Sequence, residues 1–252
     1  MKIGVITHPF SINYGGILQA YALQSFLEGR GHDVVYFDKT PTRPWYKLPL
    51  DVWRERGKSR WHPNFASFID RYIHISPRLR TYRSLNKFCT DQRIELLVTG
   101  SDQVWRESFV RSRGFFYFLD FRGKVVKRVS YAASFVLDQW GYSEEETTYI
   151  RQCLNNFNKV SVREQSAVGL LKTHVGIDVQ VMPDPTMLLT PSEYDGMASE
   201  RLIDEPYIFV YWLGNRSNME EAIRRNNPQG QQVRIVSLRD KQSLVSIPDW
   251  IS

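Results

Sequence analysis

Five short clusters in this 252-residue chain carry side chains that could do chemistry. In the first, His8 and Asn13 precede Gly15 and Gly16 where a helical pattern begins. Backbone N–H groups and the positive helix end are thereby offered to an anion or a sugar, although the same glycines suit a tight strand-to-helix turn. The second, Gly100-Ser101-Asp102-Gln103 with Trp105, presents a hydroxyl, a carboxylate, an amide and an indole together; Ser101 or Asp102 could equally cap a following helix. The third, Ala132-Ala133-Ser134-Phe135, is small enough for close approach. The fourth, Ser161-Val162-Arg163-Glu164, offers a guanidinium fork to a carboxylate or phosphate; the other reading is an ion pair of Arg163 with Glu164 or across a domain interface. In the fifth, Asp184-Pro185-Thr186, Asp184 orients a ligand or caps a turn that the proline fixes.

A parallel sheet is the fold that would bring these clusters together. The runs KIGVIT (2–7) and VVYF (34–37) flank a segment with Ile17, Ala20, Leu23 and Leu27 at helical spacing, stopped by Gly29 and Gly31. This is a βαβ opening. IELLVTG (94–100), VVKRVSYAA (125–133), KVSVRE (159–164) and DVQVMPDPTMLL (178–189) read as further strands with their exit loops, and helices are expected over 143–157 and 165–174. Each cluster then sits at the carboxyl end of a strand, where open parallel sheets bind ligands. The expected fold class is α/β, a Rossmann-like domain over residues 1–190, with residues 40–93 a basic helical insertion broken by five prolines. Residues 191–205 read as a linker. YIFVYWLG (207–214), a helix at 218–227 and VRIVSL (233–238) open a second, incomplete Rossmann-like domain over 206–252. Two strands and a helix cannot bury a core alone.

Charge narrows the partners. Lys and Arg number 33 against 27 Asp and Glu, a net of +6, yet residues 43–93 alone hold 12 basic and 4 acidic residues with Trp45, Trp53 and Trp61. Basic residues among tryptophans suit a membrane surface or a phosphorylated substrate, or simply a solvated helical face. Without a zinc-finger, RNP or basic-zipper pattern, nucleic acid is not expected. Aromatic content of 13% argues against disorder. There is no apolar run of membrane-spanning length and no cleavage-site pattern for a signal peptide. With only Cys89 and Cys153, a disulfide framework is not expected and a reducing cytoplasm is. The five histidines lack metal spacing, and GxSxG, P-loop and GxGxxG motifs are missing.

NYGGILQAYAL, TGSDQVW, YAASF, SVRE and DPTMLL occur in this order at intervals that resemble the polysaccharide pyruvyl transferase family, over roughly residues 3–190, with a weaker echo in YIFVYWLG. The resemblance implies a glycosyltransferase-B-type architecture of two Rossmann-like domains. It implies transfer of the enolpyruvyl part of phosphoenolpyruvate to a sugar of a cell-surface polysaccharide precursor, with loss of phosphate and no cofactor or metal. By matching motif, Asn13, Gly15 and Gly16 would line the cleft, and Ser101, Asp102 and Gln103 would contact the acceptor, with Asp102 as acid/base. Ser134 and Arg163 would lie at the cleft, Arg163 pairing with a donor anion. The family's usual later Ser-Phe-His-Gly-type motif does not occur, and no histidine follows His174, so a C-terminally shortened member is expected. The basic stretch would suit a lipid-linked acceptor and peripheral contact with the inner membrane face. Two other readings keep the architecture: a non-catalytic sugar- or membrane-binding remnant, and a nucleotide-sugar glycosyltransferase.

Overall fold

A computed structural model describes residues 1–10, 12–39, 60–121, 127–201, 203–237 and 240–251. Trp45, Trp53 and the basic residues of 43–59 lie outside the described residues. The described chain forms two compact units: residues 1–10, 15–39 and 72–189, and residues 12–14, 60–71 and 190–251.

The first unit is built on a parallel sheet, as the strand-like runs predict. β1 (Lys2–Ile6) pairs with β2 (Asp33–Tyr36) on one side and β3 (Leu96–Thr99) on the other, and β3 pairs with β4 (Lys127–Ser130), giving the order β2-β1-β3-β4. Ile3, Val5 and Ile6 are fully buried, as befits a central strand covered on both faces. Helix α1 (Tyr14–Glu28) connects β1 to β2. Beyond β2, bridges Tyr36–Ile75 and Lys39–Leu79 continue the sheet in parallel. The region expected to be broken thus contributes an edge segment between α2 (Pro63–Tyr72) and α3 (Tyr82–Asp91).

Past β4, the ladder changes character. β5 (Ser161–Val162) and β6 (Gln180–Val181) are only two residues each. Bridges Val129–Lys159 and Ala133–Val162 align β5 with β4, and between them two buried serines supplement the main-chain bonds Ser130 N to Lys159 O (3.2 Å) and Ala133 N to Ser161 O (3.3 Å). Ser130 Oγ donates to Ser161 O (2.9 Å) and accepts from Ser161 N (2.9 Å). Ser161 Oγ donates to Ser130 O (2.8 Å) and accepts from Ala132 N (3.1 Å). Helices α4 (Glu107–Arg113), α5 (Glu144–Leu154) and α6 (Gln165–Leu170) complete the unit. Ser143 caps α5 in a capping box with Glu146.

The core of this unit gathers on Trp105, which is fully buried and stacks on Phe118 at 5.2 Å. Its indole donates to Tyr117 O at 3.1 Å. Trp105 is therefore a core residue, not the ligand-facing indole its motif suggested.

The second unit contains helix α7 (Pro191–Asp195) and a parallel pair, β7 (Tyr207–Trp212) and β8 (Gln232–Ser237), joined by α8 (Arg216–Asn226). This unit extends beyond two strands and a helix. Tyr14 and α2 supply core from far upstream. Tyr14 meets Phe65 edge-on at 4.9 Å and stacks on Trp250 of α9 (Ile247–Ile251) at 5.2 Å. Its hydroxyl donates to Val245 O (2.8 Å) and accepts from Val245 N (3.0 Å).

Candidate functional site

The strand order reverses direction between β1 and β3: the chain steps outward from β1 to β2, then returns to the other side. That reversal is a topological switch point, where the loops leaving adjacent strands diverge and open a crevice at the carboxyl edge. The loop after β1 carries His8, and the loop after β3 carries Ser101, Asp102 and Gln103. Thr7 Oγ1 donates to Ser101 O (2.9 Å), tying the loops together. Gly100 lets the loop pack closely on β1, since a Cβ would lie 3.3 Å from Val5 Cγ1 and 3.5 Å from Ile6 O.

The next loops add the remaining groups. Asp184 is the hub: its Oδ2 accepts from Ser101 Oγ (3.1 Å) and Arg163 Nη1 (3.2 Å), and its Oδ1 accepts from Thr186 N (3.1 Å) and Thr186 Oγ1 (2.9 Å). The carboxylate thus both caps its turn and holds Arg163. Arg163 Nε stands 4.0 Å from Glu164 Oε2, so the sequence-adjacent pair is the weaker contact. With its side chain 32% exposed, Arg163 keeps part of its fork toward solvent.

Glu164 spends its other oxygen on the third cluster. Oε1 accepts from Ser134 Oγ (2.9 Å), Phe135 N (2.7 Å) and Val136 N (3.0 Å). Ser101 and Ser134 are fully buried, with hydroxyls donated inward to Asp184 and Glu164. Asp102 and Gln103 are partly exposed. Gln103 N donates to Asp102 Oδ1 (2.8 Å), and Arg106 Nη1 donates to Gln103 Oε1 (3.1 Å).

Backbone strain concentrates at this edge. Asp102, Ala132 and Val136 all hold left-handed φ, at 84°, 49° and 70°. Each is disfavoured for a residue with a Cβ, and most of all for β-branched valine. Strain of this kind persists where surrounding contacts over-determine the backbone, commonly at functional sites.

His8, which opens the first cluster, lies just past the end of β1. Its Nδ1 lies 3.2 Å from Tyr117 Oη, and its ring sits edge-on to Phe109 at 4.7 Å. Burial lowers its pKa, against the Asp102 carboxylate and the Gln103 carbonyl, which favour the charged form; the Arg113 charge adds to the lowering. Nε2 is buried with no hydrogen-bond partner among the described residues. The only signal in the sequence was its position at a strand end.

Gly15 and Gly16 lie in the first turn of α1, partly or fully exposed, and Asn13 groups with the second unit. The edge of the first unit therefore brings together Ser101, Asp102, Gln103, Ser134 and Arg163. Chemically it offers a guanidinium for an anion, a partly exposed carboxylate for hydroxyls, and a histidine held toward its neutral form. Among the described residues no three His, Cys, Asp or Glu side chains are placed to hold a metal.

A parallel α/β unit with polar and ionic groups converging on its switch point belongs to the class of Rossmann-like domains that bind small polar ligands at the carboxyl edge. The chain belongs to the polysaccharide pyruvyl transferase family, whose model matches residues 13–245. No curated protein sequence matches it. Solved structures with similarity include a protein of Listeria monocytogenes described as a UDP-N-acetylglucosamine 2-epimerase, with 10% identity, a TM-score of 0.46, and coverage of 96% of this chain and 63% of that one. The chain thus spans less than two thirds of that protein. The glycosyltransferase SsfS6 of Streptomyces sp. SF2575 is similar in two structures. Its complex with thymidine diphosphate gives 11% identity, a TM-score of 0.34 and coverage of 94% and 67%. The other gives 12%, 0.33, and 98% and 70%.

Proposed function

We propose that this protein transfers the pyruvyl group of phosphoenolpyruvate to a sugar of a cell-surface polysaccharide precursor. Family membership supports the reaction class. The observation that carries the reading onto this chain is the Arg163–Asp184–Ser101 assembly beside Asp102, a cation and a carboxylate fixed at one sheet edge. In the reaction two sugar hydroxyls add to C2 of the donor and C3 takes a proton. The C2–O bond to phosphate breaks, and the second hydroxyl proton leaves with phosphate. Arg163 pairs with the donor's anionic groups. Asp102 handles the protons of the acceptor hydroxyls and Gln103 binds that sugar. Ser101 and Ser134, being buried, act by fixing Asp184 and Glu164. Gly15 and Gly16 present N–H groups at the start of α1, with Asn13 just upstream in the chain. No cofactor or metal takes part in this scheme. A glycosyltransferase-B-type pairing of domains and a cytoplasmic location, with peripheral contact at the inner membrane face, complete the reading; no described helix is long and apolar enough to cross a membrane.

The test is phosphate release from phosphoenolpyruvate with galactose-, mannose- and glucose-type acceptors, free and lipid-linked. Acceptor-dependent release is expected. Arg163→Ala is expected to lower it roughly 100-fold or more, the scale for losing a preorganised charge partner. Lack of release with every acceptor, or full activity in Arg163→Ala, overturns the proposal.

A further inference from the structure

Away from these loops, the first unit has a second concavity of about 910 Å³. It is lined by Tyr82 of α3, the last turn of α4 with Phe115, Asp120, and one face of α5. None of its lining residues belongs to the loops carrying Ser101, Asp102, Ser134 or Arg163. Its volume lies in the range of small-molecule sites and suits several rings better than a single ion.

The lining carries both signs. Asp120, Glu144, Glu145 and Glu146 oppose Arg111 and Arg113. Arg111 is already forked onto Glu146, with Nε to Oε1 at 2.9 Å and Nη2 to Oε2 at 2.8 Å. Asp120 Oδ2 accepts from both Tyr82 Oη (2.9 Å) and Tyr149 Oη (3.2 Å). An anionic ligand would meet the carboxylates, and a basic peptide would meet the guanidiniums. A neutral polyhydroxylated ligand meets neither penalty, because each hydroxyl can donate to a carboxylate or a phenol oxygen and accept from a guanidinium. The aromatic side chains suit the C–H face of a sugar ring. Tyr149 is 40% exposed and held edge-on to Phe115 at 5.1 Å. Burial raises the pKa of Asp120, a sign of low local dielectric, in which hydrogen bonds gain strength.

We infer that this cavity binds a neutral glycan segment, as an accessory subsite for acceptor units remote from the reacting sugar. The inference rests on the pyruvyl-transfer reading only for which glycan is delivered there. Binding energy from such remote units can serve the reacting centre.

The test titrates the full chain with neutral tetrasaccharides of galactose, mannose and glucose by calorimetry, alongside a lysine-rich peptide. Two variants are compared with the parent. Tyr149→Ala removes the aromatic face. Thr148→Trp, at an exposed position of α5, fills the cavity without touching a core. At least one tetrasaccharide is expected to bind, and both variants to weaken it tenfold or more, with phosphate release on a monosaccharide acceptor unchanged. Glycan binding that both variants leave intact, no glycan binding at all, or binding of the peptide alone overturns the inference. If glycan binding behaves as expected while no acceptor supports phosphate release, the transfer reading fails and the glycan site stands. If monosaccharide turnover proceeds while the titrations stay flat, the subsite fails alone.

Discussion

Val136 keeps a left-handed backbone that its branched side chain opposes, and Glu164 holds it there by accepting from Ser134 Oγ, Phe135 N and Val136 N. Both Val136→Gly and Val136→Ala remove the exposed side chain, but only alanine keeps a Cβ at φ 70°. The glycine variant should be more stable than the alanine variant by about 1 kcal/mol in urea unfolding. Equal midpoints would show that the strain is not stored there. Glu164→Ala leaves Ser134 Oγ and Phe135 N without this acceptor, Val136 N keeping only Ser134 Oγ (3.1 Å), and should cost about 2 kcal/mol in the same measurement. His8 gives a pH signature. Its folded pKa lies below the unfolded value of about 6.5 because burial disfavours the imidazolium. Between those two values the unfolded chain binds more protons, so stability falls as pH drops from about 6.5 through the lowered value and is unaffected above it. Thermal melts across that window should show the decline, and His8→Gln should flatten it.

At the scale of elements, the seam between β4 and β5 carries the sharpest prediction. Ser130→Ala strands Ser161 N, leaving Ser161 O to Ala133 N alone, and Ser161→Ala strands Ala132 N and takes a donor from Ser130 O, all at buried positions. Each should cost about 1–3 kcal/mol, and the double variant less than the sum, because the two hydroxyls serve the same seam. Additive losses would mean that the pair does not act as one unit. This seam also marks where sequence reading fades. β1, β2 and β3 were legible because they are continuous apolar runs, β1 and β3 nearly sealed on both faces and β2 buried on one. β5 and β6 read longer than their two residues because apolar periodicity does not show where the regular ladder gives way to single bridges and, at Ser130 and Ser161, to side-chain bonds. Ser101, Asp102, Ser134 and Arg163 were legible as a group because a parallel sheet delivers every strand's carboxyl end to one edge. The turn-capping of Asp184 was legible too, but its hold on Ser101 and the duty of Glu164 were not, since those partners lie 83 and 29 residues away in the chain and are set by tertiary packing alone. The indole of Trp105 looked like part of the site because its neighbours are.

At the scale of the whole molecule, the two units differ in how much they bury. In the first, the central strands are nearly sealed, whereas α7 and α8 of the second have no buried residue and β7 is at most partly covered. Local opening follows apolar burial. Amide exchange should therefore be fastest through β7 and α8 and slowest in β1 and β3; comparable protection in both would refute this ranking. Residues 43–59 of the basic stretch read at 43–93, with Trp45 and Trp53, lie outside the described structure, so its suggested membrane contact stays attached to the functional proposal. The hydrogen bonds of Tyr14 to Val245 have a temporal consequence. Those residues are 231 positions apart. At roughly 5–20 residues per second, a ribosome needs on the order of 10–50 s to deliver the second after the first. During that interval Tyr14 and Phe65 emerge without Trp250 to cover them. The nascent chain thus carries an aromatic surface that its own later residues must reach before another chain does, and that makes slow translation a hazard for this protein and chaperone binding near α2 its remedy.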